Sequence, residues 1–200
     1  DLLWDDVPTG AALFLSHYPV FFLAQYDQEV EGARPDVALV QQSLYRRARG
    51  GHDYALALAR RAPDLAPLAA FFLDHQTLSW DEVLALATRR PVRFEPADDL
   101  EPPPGDLSPV GWTFAVRAGG AAAADPAGEA SFRDRIRGVA AGWPEPGTET
   151  KRVAMRHLAA RAIWLARGGL RDAARAAVAC ARELNDRDAT LARMEADLAR

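Results

Sequence analysis

The stretch Gln28-Glu29-Val30-Glu31-Gly32-Ala33-Arg34-Pro35-Asp36-Val37 decides the fold, because it joins a predicted helix to a predicted buried strand. Gly32 can adopt the positive φ angle that ends a helix. Pro35 disfavours helical backbone at the residue before it, so the next strand is expected to begin in an extended conformation. The pattern therefore predicts a helix that ends near Gly32 and a strand over residues 36–40.

An apolar run and a helical pattern precede this stretch. Residues 11–15 are continuously apolar, which is typical of a buried strand. Residues 19–31 fit a helix whose first turn tolerates Pro19, and we expect it to pack on the sheet through Phe22 and Tyr26 or their neighbours. A strand–helix–strand sequence of this length predicts two adjacent parallel strands with a right-handed crossover.

The rest of the chain adds two strands and several helices. Ser79-Trp80-Asp81-Glu82 is a capping box, in which a hydroxyl and a carboxylate satisfy the first amides of a helix. Residues 119–128 are rich in Ala and Gly and predict a mobile linker. Helices are predicted at residues 52–62, 64–75, 79–90, 131–141, 148–167, 170–184 and 188–199, and strands at residues 91–95 and 111–116.

Composition and charge exclude several functions. The chain begins at Asp1 without a leader pattern, which favours an excised fragment or a processed product. Its longest apolar stretch is too short and too interrupted to span a bilayer. The single cysteine, Cys180, excludes an internal disulfide and is expected to be a small buried filler. Residues 1–117 carry 17 acids and 10 bases, a net charge of −7, and the remainder has a net charge of +3, so no nucleic-acid surface is predicted.

Candidate binding residues follow the first two predicted strands and line the first helix. Parallel strands present their carboxyl ends at one edge of a sheet, where ligands often bind. The binding set is Ser16, His17, Tyr18, Asp27 and Ser43. The alternative is that the first three are turn residues that satisfy local amides. Arg46, Arg47 and Arg49 could contact anionic lipid headgroups or be ordinary surface charge.

No catalytic constellation, metal site or cofactor is predicted. His52, His75 and His157 lack the spacing of metal ligands. Gly119-Gly120 leads into alanines, whereas a phosphate-binding loop leads into a Lys-Ser/Thr helix start. No nucleophile is found beside a base.

Four segments in order resemble the soluble C-terminal region of polytopic membrane glycosyltransferases of the bacterial protein O-mannosyltransferase-like type. They are VPTGAALFLS, YDQEVEGARPDVALVQQSL, RRPVRFEP and LSPVGWTFAV, within the first 117 residues. The resemblance implies an extracytoplasmic, non-catalytic domain that positions an acceptor protein, a glycan or a partner beside the membrane-embedded part of the same polypeptide. Ser16-His17-Tyr18-Pro19 departs from the family, whose turn here is rich in Gly, Asp and Asn.

The last predicted helices resemble a tetratricopeptide repeat. Trp164, Gly168, Leu170, Ala177 and Cys180 fall near the offsets of that repeat, and Arg161 and Asn185 depart from it. One repeat cannot bury its own apolar face, so the hairpin must pack on residues 131–141, on the terminal helix or on the first domain.

The sequence thus predicts an α/β fold with a small, mainly parallel sheet of about four strands and flanking helices, followed by a tetratricopeptide-like helical hairpin. The predicted divisions are an α/β domain at residues 1–117, a linker with a short helix at 118–147 and a helical region at 148–200. Two other functions stay open. One is a tetratricopeptide-like protein–protein adaptor, which needs exposed apolar residues around Trp164. The other is a small α/β enzyme with a polar site near Ser16 and His17.

Overall fold

A computed structural model describes residues 2–42, 50–75, 77–97, 107–117, 125–142, 149–185 and 187–199. The chain forms two compact units. The α/β unit comprises Val7–Glu95 and Ala115–Gly120, and the helical unit comprises Asp1–Asp6, Pro96–Phe114 and Ala121–Arg200. The divisions predicted after residues 117 and 147 stay predictions.

The predicted strand–helix–strand is present and its strands are parallel. It consists of β1 (Ala12–Leu15), α1 (Tyr18–Glu29) and β2 (Ala38–Gln41). Ala12 of β1 is in register with Ala38 of β2. On its other side β1 pairs in parallel with β3 (Val92–Phe94), so the central strand has a parallel neighbour on each side.

The sheet has five strands among the described residues, one more than predicted. Its order is β2-β1-β3-β5-β4, where β4 is Leu107–Val110 and β5 is Thr113–Val116. Pro109 lies in β4 and explains why the pattern hides this strand, since a proline cannot donate a ladder hydrogen bond. The proline is tolerated because β4 is the last strand of the sheet.

The first helix packs inward through neighbours of Phe22 and Tyr26 and not through these two residues themselves. Phe21 and Ala24 are the buried residues of α1, whereas Phe22 and Tyr26 are 56% and 51% exposed. The prediction named Phe22 and Tyr26 or their neighbours as the packing residues, and the neighbours Phe21 and Ala24 are the ones that are buried. Apolar residues occupy opposite faces of α1, and a periodic pattern cannot say which of two apolar faces is buried.

The segment between α1 and β2 is held by side chains as well as by turn residues. Gly32 has the expected positive φ of 67°. Arg34 has a φ of 47°, a left-handed conformation rather than the extended backbone expected before Pro35. Its guanidinium donates to the carbonyls of Val7 and Pro8, both at 2.9 Å, and to Asp36. These bonds hold Arg34 in a conformation that proline alone would disfavour.

The other helices of the α/β unit follow the pattern closely. They are α2 (Gly50–Arg61), a 3₁₀ turn (Pro63–Leu65), α3 (Ala66–His75) and α4 (Trp80–Ala87). Ser79 caps α4 as expected, because its hydroxyl accepts a hydrogen bond from the Glu82 amide at 3.2 Å. In the core, Phe14 stacks on Phe94 with a ring separation of 4.2 Å.

The helical unit contains four helices among the described residues. They are α5 (Pro126–Ala141), α6 (Glu149–Arg167), α7 (Arg171–Leu184) and α8 (Ala189–Leu198). Helix α5 begins before the predicted residue 131, because Asp125 caps it by accepting a hydrogen bond from the Gly128 amide at 3.0 Å. The end of the predicted linker at residues 119–128 is thus helical, and residues 118–124 lie outside the described part.

A buried ion pair joins two helices of this unit. Arg161 of α6 donates both Nε and Nη2 to the Glu129 carboxylate of α5. The guanidinium also packs against the rings of Phe114 and Phe132, at 4.9 and 4.5 Å. Arg161 is one of the two residues that depart from the predicted tetratricopeptide pattern, and it lies buried in this ion pair.

Cys180 is buried as predicted, and burial raises the pKa of its thiol. Among the described residues, no helix combines the length and the apolar composition that crossing a membrane requires.

Candidate functional site

A polar cluster lies at the carboxyl ends of the parallel strands β1 and β3. Ser16 and His17 directly follow β1, and Glu95 directly follows β3. Because β1 and β3 are parallel neighbours, these residues meet at one edge of the sheet. The buried Glu95 carboxylate accepts hydrogen bonds through Oε2 from the amides of Ser16 (2.7 Å) and His17 (2.9 Å). Its Oε1 lies 3.0 Å from Nδ1 of His17.

The end of β2 adds two glutamines to this cluster. Gln41 is fully buried and donates to the Ser16 carbonyl at 3.4 Å. Gln42 donates from Nε2 to the carbonyls of Phe14 and Glu95, both at 3.1 Å. Oε1 of Gln42 is buried and meets no donor within the described ranges. The cluster therefore ties the ends of three strands together.

The hydrogen-bond pattern of His17 limits the chemistry of the cluster. Ser16 Oγ lies 3.2 Å from His17 Nδ1, the same ring nitrogen that contacts Glu95. Ser16 Oγ also donates to Glu95 Oε2 at 3.1 Å. An imidazole and a carboxylate are also metal-ligand types, and His17 and Glu95 each offer one such ligand atom in this cluster. In a Ser-His-Asp catalytic triad, by contrast, the serine hydroxyl and the carboxylate contact different nitrogens of the imidazole ring.

Only part of the predicted binding set comes together. Ser16 and His17 lie in the cluster, and Tyr18 begins α1 with its ring 6.1 Å from that of Phe22. Asp27 lies ten residues beyond His17, about 15 Å along the helix at 1.5 Å per residue, and so away from the strand ends. Ser43, together with Arg46, Arg47 and Arg49, lies outside the described residues.

A cleft opens beside β2, between α1 and α2. Its volume is about 520 Å³, within the usual range of ligand sites. Phe21 and Phe22 line it on one side, Tyr54 and Leu58 line it on the other, and Arg61 lies at its rim. The Arg61 side chain is largely exposed and contacts Glu29 at 3.1 Å. The cleft therefore combines aromatic walls with a charged margin.

Tyr54 satisfies the backbone of β2 beside this cleft. Its hydroxyl accepts a hydrogen bond from the Gln41 amide at 2.8 Å and donates to the Leu39 carbonyl at 3.3 Å. Burial raises the pKa of Tyr54 to about 12, so the hydroxyl stays protonated at neutral pH. Gln28 similarly donates to the Val37 carbonyl at 2.9 Å. Because β2 is the first strand of the sheet, these bonds occupy backbone groups that would otherwise pair with a further strand.

The face of α1 opposite Phe21 is apolar and exposed. Phe22, Leu23, Tyr26 and Val30 are each more than half exposed, and Pro19 is exposed as well. At 3.6 residues per turn these five positions fall within about 100° of one another. We call them the outer stripe of α1. Phe22 belongs both to the outer stripe and to the wall of the cleft.

Sequence reasoning missed Glu95 and Tyr54. Glu95 carried a usable signal, because it is the last residue of the predicted strand 91–95, and Ser16 directly follows another predicted strand. Tyr54 carried none, since its role depends on which strand forms the edge of the sheet.

In comparisons with protein-family models, with curated proteins and with solved structures, no match to this chain was found.

Proposed function

We propose that this chain is a non-catalytic, extracytoplasmic domain of a membrane glycosyltransferase-like protein and that it positions an acceptor or a partner. The observation that carries the non-catalytic part is the shared use of His17 Nδ1 by Ser16 and Glu95. The origin of the domain rests on the ordered resemblance of four segments described above.

The geometry around His17 favours a supporting role over a chemical one. A serine nucleophile needs a base on one ring nitrogen and an orienting carboxylate on the other. Here Ser16 and Glu95 both contact Nδ1 of His17, and the Ser16 hydroxyl donates its hydrogen bond to Glu95. Glu95 instead fixes the start of α1 by accepting two backbone amides, and an anionic side chain at a helix N-terminus is favourable. This arrangement supports a role in holding the β1–α1 connection.

The positioning role is supported by surfaces outside the polar cluster. The cleft beside β2 offers aromatic walls, and the outer stripe of α1 offers exposed apolar side chains. Exposed apolar patches of this kind mark interaction sites on proteins. Arg34 and Asp36, which lie in the segment that carries the resemblance, hold the backbone that leads into β2.

A turnover assay tests the non-catalytic part of the proposal. The purified chain is incubated with lipid-linked sugar donors and peptide acceptors, alongside His17→Ala. We expect no transfer and no hydrolysis above the no-protein control with either. Turnover by the chain that His17→Ala abolishes would refute the proposal. Reading the genomic sequence upstream of the codon for Asp1 tests the origin, and a reading frame there without encoded membrane spans would count against it.

The adaptor function is less well supported by the same structure. It requires an open apolar groove around Trp164, but Trp164 is only 3% exposed. Its indole donates to the Ala97 carbonyl at 2.8 Å and its ring lies 5.1 Å from that of Phe114. The tetratricopeptide likeness of α6 and α7 therefore remains a proposal about their ancestry and not about an exposed binding groove.

A further inference from the structure

We infer that the cleft beside β2 binds an uncharged, flat aromatic molecule that carries a carbonyl oxygen. This inference goes beyond the proposed function and does not depend on it. It rests on the aromatic rings that line the cleft, on one backbone amide at its floor and on the pairing of its charged side chains.

The cleft encloses a small molecule on three sides. Side chains of α1 and α2 form its two walls, and the outer edge of β2 with the residues before it, Val37 to Leu39, forms its floor. Its volume of about 520 Å³ is that of a site for a small organic ligand. Such sites combine mostly apolar walls with a few polar groups that orient the ligand.

Three aromatic rings give the walls their chemical preference. The ring of Phe21 lies 5.6 Å from that of Phe22 and 6.4 Å from that of Tyr54, with interplanar angles of 71° and 78°. Phe21 is buried, whereas Phe22 is more than half exposed. Aromatic rings gain from edge-to-face and offset contacts with one another, beyond the area that they bury. A flat aromatic ligand therefore fits these walls better than a saturated ring of similar size.

The Leu39 amide is a hydrogen-bond donor at the floor of the cleft. The Ala38 amide donates to the Ala11 carbonyl at 2.9 Å, so the backbone groups of Ala38 face β1 and those of Leu39 face away from it. The Leu39 carbonyl accordingly accepts a hydrogen bond from the Tyr54 hydroxyl. Within the described ranges, no acceptor bonds to the Leu39 amide. A carbonyl oxygen on the ligand supplies the acceptor that a backbone donor needs.

The charged side chains of the cleft favour an uncharged ligand. Each ionised side chain that lines the cleft belongs to an ion pair. The pairs are Arg34–Asp36, Arg61–Glu29 and Arg90–Asp64, with N–O distances of 3.1, 3.1 and 2.9 Å. An anionic or cationic ligand would have to compete with one of these pairs, whereas an uncharged ligand leaves all three intact.

A sugar is a poorer occupant than an aromatic ring. Each sugar hydroxyl needs hydrogen-bond partners to replace the water that it loses on binding. The Tyr54 hydroxyl is already bonded to Leu39 and Gln41, and the Gln28 amide nitrogen already donates to Val37. The cleft therefore offers aromatic surface and few hydrogen bonds.

An NMR titration of the whole chain tests the inference. The probe is benzamide, an uncharged aromatic ring with a carbonyl oxygen, added at millimolar concentrations. Backbone amide signals of the isotope-labelled chain are followed. We expect the Leu39 amide proton to move downfield and to saturate, because it acquires an acceptor. The titration gives both the location of binding and the affinity.

Matched probes separate the parts of the argument. Benzoate and benzylammonium keep the aromatic ring and add a negative or a positive charge. Cyclohexanecarboxamide keeps the carbonyl oxygen and removes the aromatic ring, and methyl glucoside represents a sugar. We expect each of the four to bind roughly tenfold more weakly than benzamide, or weaker still.

Two tryptophan variants on α2 test the location. Ala57 lies on the lining face, three residues after Tyr54 and four before Arg61, so Ala57→Trp fills the cleft and should abolish the saturable shift. Leu56→Trp changes the preceding residue, which is exposed and is not among the described residues that line the cleft, and should leave the affinity for benzamide unchanged. Phe22→Ser removes part of one wall and should weaken binding. The amide spectrum itself shows whether each variant is folded.

Three outcomes would overturn the inference. They are a Leu39 amide signal that benzamide does not move, a charged, saturated or sugar probe that binds as tightly as benzamide, and benzamide binding that persists in folded Ala57→Trp.

Discussion

Asp36 accepts two hydrogen bonds from the guanidinium of Arg34, which lies only two residues earlier and has left-handed backbone. Asp36 also accepts the Gly10 amide at 2.8 Å, and Arg34 reaches the carbonyls of Val7 and Pro8. The two side chains together tie the approach to β1 to the approach to β2. These parallel strands are thus aligned from their amino ends by one ion pair.

This pair makes stability depend on acid pH. The Arg34 guanidinium, followed by the Gly10 amide, lowers the pKa of Asp36 from 3.8 to about 2. Because the folded-state pKa is depressed, the carboxylate stabilises the fold above pH 4, and that contribution is lost as the pH falls from about 4 to about 2. Asp36→Asn should melt below the unaltered chain at pH 6, and the gap should narrow below pH 4. A gap in melting temperature that is the same at pH 6 and pH 3 would contradict the assignment.

Removal of the Glu95 carboxylate should destabilise the α/β unit. Glu95→Ala leaves the amides of Ser16 and His17 without the acceptor that they now share, at a cost of roughly 1–3 kcal/mol. Urea unfolding followed by circular dichroism measures the change. Glu31→Ala, an exposed carboxylate on the same unit, is the control and should stay within about 0.5 kcal/mol. Equal losses of stability in the two variants would show that Glu95 does not have this structural role.

The buried pair in the helical unit should behave as a coupled unit. Glu129→Leu or Arg161→Met alone leaves one charge buried without its main partner, at a cost of roughly 3–5 kcal/mol. The double variant should recover most of this loss, because apolar residues of similar volume then fill the space between Phe114 and Phe132. Arg133 lies 4.0 Å from Glu129 and limits the recovery. A double-mutant cycle by urea unfolding measures the coupling, and additive single effects would show that the pair is not coupled.

Two glycines should respond to alanine in opposite directions. Gly111 turns from β4 to β5 with a φ of 52°, and a Cβ there would overlap the Asp6 carboxylate, which Arg135 holds at 2.6 Å. Gly111→Ala should therefore lower the melting temperature by several degrees. Gly138 lies inside α5, and an added Cβ would meet no atom within 4 Å. Gly138→Ala should stabilise the protein by up to about 1 kcal/mol. Differential scanning calorimetry decides the signs, and equal shifts would contradict both.

The sequence was informative where one physical pattern acted alone. The apolar run at residues 11–15 and its distance along the chain from residue 36 were enough to predict that β1 and β2 are parallel neighbours. This prediction is confirmed. The Ser79 cap depends on four consecutive residues and is also confirmed. The α/β class follows from such local signals.

Features that depend on tertiary neighbours were not predictable. Apolar residues on both faces of α1 gave no means to choose Phe21 over Phe22 as the buried residue. Strand β4 was hidden by Pro109, which only its place at the end of the sheet permits. In the polar cluster, Ser16 and His17 were named from the strand ends, but Glu95 joins them from 79 residues away in the chain. Asp27 was predicted to belong to the same site, but its position along α1 places it far from the strand ends.

The 79 residues between Ser16 and Glu95 also determine when the sheet can be completed during synthesis of the chain. Strand β1 acquires its first neighbour soon after translation of β2, but its second neighbour, β3, follows only after α2, α3 and α4. At 5–20 residues per second, the ribosome needs about 4–16 s to supply this length. For those seconds the side of the nascent central strand that pairs with β3 lacks its partner strand. We expect the newly made chain to be most prone to aggregation in this interval, which ends when β3 pairs with β1.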